Sequence, residues 1–144
     1  MSVIAAWCVA QLAVTSLMVG VFLVVQLVVY PQFLQVPAAA FVAYHRQHVW
    51  RMSVVVIAPM LLELVLALGC VGLVPRAWPW AGLVLLLMGW GLTFAGAVPL
   101  HRRLERGRDD GLIRRLIAIN AGRTVLWSGR WLLLLIVAIC KFDA

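Results

Sequence analysis

The three histidines of the chain are the side chains best suited to chemistry. His45 and His48 are three residues apart, so both rings can lie on one helix face, and His101 belongs to a different segment. Neutral imidazole is the commonest protein ligand for metals, so His45, His48 and His101 are a candidate site for a single metal ion. Haem with two histidine ligands is a weaker alternative, because haem ligation demands a specific geometry. The simplest interpretation is that the histidines hydrogen-bond to backbone groups or lipid headgroups.

The last apolar segment carries a stripe of polar and aromatic side chains. Four residues follow an i, i+3, i+7, i+10 spacing, which places them on one face of a helix: Asn120, Arg123, Trp127 and Arg130. The start of this stripe should lie at the same membrane boundary as the histidines, and the end of the first apolar segment adds Gln26 and Tyr30 there. Arg123 could hold an anion at this boundary, or it could simply snorkel to the lipid interface.

These polar side chains predict a pocket for a ligand. Two histidines can serve as acid, base or ligand residues and one arginine can hold an oxyanion, so the candidate catalytic residues are His48, His101 and Arg123. Side chains that can orient a ligand form the candidate ligand-binding set: Gln26, Tyr30, His45 and Asn120. A shared ligand or water would require the His101 ring to approach His45 or His48 closely.

One acidic residue, Glu63, occurs within a predicted span. The same membrane boundary is predicted near Val54 on one helix and near Asn120 on the other. Counted from these residues at 1.5 Å per residue, Glu63 lies ~14 Å deep and Arg130 ~15 Å deep. Either charge alone inside the bilayer would be costly, by at least ~2.5 kcal/mol. We therefore predict an intramembrane ion pair between Glu63 and Arg130. The pair could belong to a proton or substrate path, or it could be a structural clamp that fixes the helix register.

The elements that must position these residues follow from composition. The chain has 144 residues, of which 65% are hydrophobic and 12% charged. A soluble domain of this length keeps too much surface exposed to hide such an apolar composition, and a lipid environment permits helices or closed barrels. Long continuous apolar runs favour helices. The sequence predicts an all-α integral membrane four-helix bundle forming one domain, 1–144, with spans over about 4–30, 53–74, 78–100 and 116–140.

The predicted helix ends depend on prolines and on charge. Pro31 should end the first helix, because proline cannot donate to the helical ladder. The second helix should run from near Ala38 to about Val74, which is longer than a span, so its first turns project beyond the boundary. A charged loop is expected over 101–115. On the third helix, Gly82, Gly89 and Gly96 form a ridge of small residues that allows close helix packing.

The net charge of +7 comes mainly from arginines in two of the predicted loops and their flanks. Eight arginines lie on one side of the predicted membrane: Arg46, Arg51, Arg102, Arg103, Arg106, Arg108, Arg114 and Arg115. The other side has Arg76, Lys141 and the amino terminus. This bias predicts a multi-pass membrane protein with the arginine-rich loops in the cytoplasm and both termini on the outer side, and anionic lipids as partners of these loops. It also explains the charge without nucleic acid, which we do not expect as a partner.

Several motifs together resemble a known group of proteins. They are Tyr30-Pro31, the segment 44–48 (YHRQH), 59–63, the segment 98–104 (VPLHRRL), and 120–124 (NAGRT) followed by Trp127 and Arg130. Over most of 30–130 the chain resembles small bacterial four-helix membrane proteins that are similar to the anthrone-oxygenase-like group. Anthrone oxygenases oxidise polycyclic aromatic substrates without a tightly bound cofactor. The resemblance implies a location in the bacterial cytoplasmic (inner) membrane. It also implies a substrate pocket around His45, His48, His101, Asn120 and Arg123.

Two functional hypotheses follow from the sequence. In the first, the protein binds an apolar aromatic or quinone-like ligand, or a metal, in a pocket near the cytoplasmic leaflet, and it is an oxygenase-like enzyme or a cofactor binder. In the second, it is a non-catalytic accessory or scaffold subunit that binds other membrane subunits in a larger complex. The short loops and the lack of an extramembrane domain fit the second hypothesis.

Overall fold

The computed structural model describes residues 3–142, which form an all-helical bundle of four helices. We name them α1 (Val3–Phe33), α2 (Ala38–Leu73), α3 (Ala77–Leu104) and α4 (Asp110–Phe142). All four are long and apolar enough to cross a membrane. The amino terminus and the side chain of Lys141, which we used in the charge count, lie outside the described residues.

The helices form an antiparallel square. α1 and α3 each pack against both α2 and α4, so the polar stripe of α4 faces two neighbours. The glycine ridge of α3 packs against α4, as the spacing indicated. A Cβ at Gly82 would contact Leu133, while at Gly96 it would press on Ile119 and at Gly89 it would overlap the Trp127 indole. Glycine is therefore required at Gly89 for the two helices to come this close.

Two helices contain a π-helical segment just before a proline. In α1 the segment is Val25–Val29, followed by Tyr30 and Pro31; in α3 it is Leu92–Ala97, followed by Val98 and Pro99. A proline ring clashes with the carbonyl group four residues earlier, and here that carbonyl lies inside the π-helical segment in both helices. The wider turn lets the chain pass the proline. Our expectation that Pro31 would end the first helix is therefore wrong, because α1 continues to Phe33.

The charged loop is much shorter than predicted. Instead of spanning 101–115, it comprises residues 105–109, because α3 extends to Leu104 and α4 already begins at Asp110. The carboxylate of Asp109 accepts a hydrogen bond from the Leu112 backbone N–H at 2.9 Å, which caps the first turn of α4. Gly107 adopts a φ of +153°, a conformation that favours glycine.

Arg108 ties the two loops at this end of the bundle together. Its guanidinium donates to the Val36 carbonyl at 2.8 Å and to the Leu34 carbonyl at 3.0 Å. It also forms an ion pair with Asp110, Nε to Oδ1, at 2.8 Å. The end of α1 and the start of α4 therefore lie side by side. We call this end, which carries loops 34–37 and 105–109, the arginine-rich end.

Candidate functional site

Two separate polar clusters lie inside the bundle, both against α4. The ion-pair cluster lies mid-bundle and consists of Gln11, Thr15, Glu63, Trp127 and Arg130. The histidine cluster lies toward the arginine-rich end and consists of Tyr30, His45, His48, His101 and Arg123. They differ in how completely their hydrogen-bonding groups are paired, and this difference separates a structural role from a binding role.

The ion-pair cluster is nearly complete in itself. Glu63 is 0% exposed and Arg130 is 1% exposed, and their Oε1 and Nη1 atoms are 2.6 Å apart. Glu63 also accepts hydrogen bonds from the Thr15 hydroxyl and from Trp127 Nε1, both at 2.8 Å. Buried charges of this kind need a partner and further hydrogen bonds, and Glu63 has three donors. Of the two roles that we considered for the pair, this geometry favours the structural clamp that fixes the helix register over a proton or substrate path.

Arg130 contacts three helices besides its own. Its guanidinium donates to Gln11 Oε1 at 2.8 Å, to the Thr15 hydroxyl, and from Nε to the Gly82 carbonyl at 3.2 Å. Together with Glu63 on α2, these contacts connect α4 to α1, α2 and α3. The cluster thus fixes the register of all four helices, and it borders none of the described cavities.

The histidine cluster contains a chain of hydrogen bonds. The Tyr30 hydroxyl lies 3.1 Å from His101 Nε2, and His101 Nδ1 lies 2.9 Å from His45 Nε2. In each of these two contacts one atom must donate and the other accept. The chain is therefore arranged to pass a proton between a phenol and two imidazoles. His45 is 0% exposed, and its Nδ1 atom has no hydrogen-bond partner within the described part of the chain.

His48 completes the cluster on its open side. Its ring centroid is 6.0 Å from that of His101 and 5.9 Å from that of Tyr30. The ring also packs edge-on against Phe33 at 4.9 Å between centroids. His48 is half-buried, whereas His45 is fully buried. His48 is therefore the histidine of α2 that a bound molecule could reach.

Arg123 is a buried cation without an acidic partner. It is 7% exposed, and within residues 3–142 no carboxylate lies within ion-pair distance of its guanidinium. Two neutral groups lie beside it: its Cζ atom lies 4.3 Å from the Phe22 ring centroid, and its guanidinium is close enough to donate to the Tyr30 hydroxyl. Among the described residues, its Nε atom has no hydrogen-bond partner. Cation–π contact offsets only part of the cost of burying this charge.

A cavity of about 290 Å³ opens between these residues. We call it the histidine pocket. Four members of the cluster line it: Tyr30, His48, His101 and Arg123. Its remaining wall is mainly apolar, and Arg102 and Glu105 lie at its exposed rim. An apolar cavity with a few convergent polar groups is the usual form of a small-molecule site.

Three of the predicted ligand-binding residues do not line this pocket. Asn120 donates to Gln26 Oε1 at 2.9 Å and to the Phe22 carbonyl at 3.2 Å, so both amides brace α4 against α1. His45 lies behind His101, enclosed by Phe33 and Phe41. Of the seven predicted catalytic and ligand-binding residues, the pocket contains Tyr30, His48, His101 and Arg123. Gln26, His45 and Asn120 lie outside the lining of the pocket, and their contact with a ligand stays a prediction.

The histidines do not fit the metal site that we considered. Among the described residues, no group of three or more histidine, cysteine, aspartate or glutamate side chains has the geometry to hold a metal ion. Both His101 nitrogens already face hydrogen-bond partners, Tyr30 and His45. A metal needs nitrogen lone pairs that converge on one point. Here the nitrogens of His45 and His101 face each other and share a proton in a hydrogen bond. The same engagement of His101 argues against the haem alternative.

Both π-helical segments contribute residues to the pocket wall, and the sequence analysis did not predict this. Val25 in the first, and Thr93 and Ala97 in the second, line the histidine pocket. π-Helical turns often occur at functional sites, because the inserted residue displaces side chains and leaves room beside the helix. A signal for them was present, since both Pro31 and Pro99 interrupt otherwise continuous apolar helices.

No family model matches this chain, and comparisons with curated proteins and with solved structures give no significant match. Similarity to another protein therefore supplies no function. The chemistry of the histidine pocket is the remaining guide to function.

Proposed function

We propose that the chain is a multi-pass protein of the bacterial cytoplasmic membrane, with the arginine-rich end in the cytoplasm and both termini outside. Four apolar helices support insertion in a membrane. The exposed arginines at one end support the orientation, because positively charged loops stay in the cytoplasm. Anionic lipids would neutralise these arginines at the inner leaflet.

Cysteine labelling tests this orientation. In a background with the three native cysteines replaced by alanine, Arg76→Cys and Arg106→Cys each add one exposed thiol, at opposite ends of the bundle. We expect a membrane-impermeant maleimide, added to cells with a permeabilised outer membrane, to label Arg76→Cys only. Arg106→Cys should react after the inner membrane is disrupted. The reverse pattern would contradict the orientation, and immediate labelling of both thiols would contradict the spans.

The function that the histidine pocket supports best is binding of an apolar aromatic or quinone-like ring compound. The observation that carries this proposal is Arg123, a buried guanidinium that faces a mainly apolar cavity and forms no ion pair with any carboxylate of the described residues. A carboxylate, phenolate or carbonyl oxygen on the ligand would supply the missing partner through a charge-assisted hydrogen bond. The apolar wall would hold the ring.

The chain of hydrogen bonds from Tyr30 through His101 to His45 adds acid–base chemistry to this site. A ligand hydroxyl next to His48 could lose its proton to that imidazole, and one next to Tyr30 could pass its proton through the Tyr30 hydroxyl to His101. Arg123 would stabilise the oxyanion that remains. These roles keep His48, His101 and Arg123 as the catalytic residues of the proposal. An aromatic substrate with an acidic hydroxyl also agrees with the resemblance to anthrone-oxygenase-like proteins.

Two probes of the same shape test the binding proposal. The protein, purified in a mild detergent, should bind 2-naphthoate at least about tenfold more tightly than the neutral 2-naphthamide, since a hydrogen bond to a charged group gains over a kilocalorie per mole. Binding is measured by fluorescence quenching and by equilibrium dialysis. Equal affinity for the two probes would contradict the role of Arg123.

Two matched variants on α2 locate the probe. Val49 is half-buried and lines the histidine pocket, so the larger indole of Val49→Trp would occupy the cavity. This variant should weaken 2-naphthoate binding by more than about tenfold. Val42→Trp is the control, since Val42 is 39% exposed and lies two turns away on the same helix. Equal loss in both variants would exclude the pocket. Absence of probe binding, with constant co-purification of larger subunits, would favour the accessory-subunit hypothesis instead.

A further inference from the structure

A second cavity lies beside the histidine pocket, on the outer surface between α1 and α2. It measures about 390 Å³ and forms a groove. Its wall is built by Leu17, Gly20, Val24, Val25, Met52 and Val55, with Ser16 at one end. The Ser16 hydroxyl donates to the Leu12 carbonyl at 2.7 Å and accepts from Trp131 Nε1 at 2.9 Å. The groove therefore presents an apolar surface whose one side-chain hydroxyl is already paired.

The groove and the histidine pocket share two wall residues, Val25 and Met52. Val25 is buried and is the first residue of the π-helical segment of α1, so this segment contributes to the walls of both the pocket and the groove. Met52 is half-buried, and its unbranched thioether side chain changes rotamer easily. A molecule in the pocket could thus extend into the groove past a wall of two side chains.

The direction of the groove matches that of a membrane amphiphile. It follows α1 from Val29 back to Ser16, which is about 20 Å at 1.5 Å per residue, and so leads from the level of the histidine pocket toward the middle of the bundle. The polar groups of the pocket lie near the proposed headgroup region. The groove lies at the depth of the lipid chains.

We infer that the ligand of the histidine pocket carries a single long apolar chain, and that this chain lies in the groove between α1 and α2. The inference rests on the proposed function, because the ring and its oxygen are held by the pocket. It narrows the ligand class from any ring compound to a tailed one, such as a prenylated quinone or an alkylated aromatic acid. Such a ligand would enter sideways from the bilayer, since the groove faces outward.

A photoreactive probe tests this inference. The probe is 2-naphthoate with a decyl chain at position 6 that ends in a diazirine, and the protein is in lipid nanodiscs. Because the bound ring tethers the chain, its effective concentration at the groove is high, and we expect labelling of 16–29 and 52–55 at least about tenfold above that of α3. Excess untailed 2-naphthoate should abolish this labelling. Peptide mass spectrometry gives the labelled positions.

Filling the groove provides the matched control. Gly20→Leu places a side chain in the groove, and no atom lies within 4 Å of the added Cβ, so the fold tolerates it. It should abolish groove labelling and leave 2-naphthoate binding unchanged. Gly72→Leu also has open space around its Cβ but lies far from the groove, and should change neither. Leu17→Trp, at a position that is 54% exposed, is a second groove-filling variant.

The outcomes separate the two proposals. Labelling spread evenly over the lipid-facing surface, or unchanged labelling in both groove-filling variants, would overturn the tailed ligand, while 2-naphthoate binding would keep the pocket proposal. Labelling that untailed 2-naphthoate does not reduce would mean that the groove holds an ordinary lipid chain, which also overturns the inference. If the parent protein did not bind 2-naphthoate, both the pocket proposal and the tailed ligand would be overturned.

Discussion

Arg130→Met should lower the free energy of unfolding by about 3–5 kcal/mol, the usual cost of removing one partner of a buried ion pair. The methionine fills similar space, so the cost comes from the charge that remains. Glu63 is 0% exposed, and Arg130 is the one cation that contacts it among the described residues. The Thr15 hydroxyl and Trp127 Nε1 would still donate to its carboxylate, but neither carries charge. Unfolding is measured by titrating SDS into the detergent-solubilised protein.

A second substitution identifies the cause. Glu63→Gln removes the charge and keeps an oxygen that can accept from Trp127, so the double variant Glu63→Gln with Arg130→Met contains no buried charge in this cluster. It should be more stable than Arg130→Met alone, because the uncompensated carboxylate is gone. If the double variant lost the sum of the two single effects, the cost would come from packing and not from charge.

The pairing of Glu63 with Arg130 was accessible from the sequence because depth and helical periodicity limit where a charge can lie. Counting residues from a single boundary placed both at similar depth, and the i, i+3, i+7, i+10 spacing placed Arg130 on the inward stripe of α4. The structure brings the two together at 2.6 Å. Their further partners, Gln11, Thr15 and Trp127, depend on rotamers and on helix rotation, which residue spacing does not determine.

The four helices followed from composition, but their ends did not. Pro31 and Pro99 are helix breakers by local propensity, yet both helices continue past them after a π-helical turn. Local propensity was overridden because both helices are packed on both sides of the break, and the wider turn removes the clash at small cost. The lining of the histidine pocket could not be predicted for the same reason. Val25, Thr93 and Ala97 line it from those two turns, so spacing alone could not separate Asn120 from Arg123.

Arg108 has an additional structural role that the sequence did not indicate. By sequence it was one of eight arginines that orient the chain in the membrane, and seven of them are exposed. The eighth donates to two carbonyls at the end of α1, 72 and 74 residues away in the chain. A contact between a long side chain and distant backbone carbonyls leaves no pattern in one sequence. It became recognisable when the structure brought the two loops together.

Arg123→Met should leave stability nearly unchanged and weaken ligand binding, in contrast to Arg130→Met, although the two arginines lie two turns apart on one helix. Arg123 has no carboxylate partner among the described residues, so its removal leaves no buried charge behind, and the free energy of unfolding should stay within about 1 kcal/mol of the parent. Binding of 2-naphthoate should instead weaken by at least about 30-fold, since losing one side of a buried charge pair costs about 2 kcal/mol or more. Binding of 2-naphthamide should change little.

Arg46→Met is the control for this last experiment. Arg46 is exposed on α2 at the same end of the bundle, so its removal changes the net charge by the same amount without altering the histidine pocket. Long-range attraction between an anionic probe and the positive protein would weaken equally in both variants and would fade with salt. A loss confined to Arg123→Met therefore assigns the anion contact to its guanidinium. A large loss of stability in Arg123→Met, with unchanged 2-naphthoate binding, would make this arginine a structural residue and would remove the main support for a ligand in the histidine pocket.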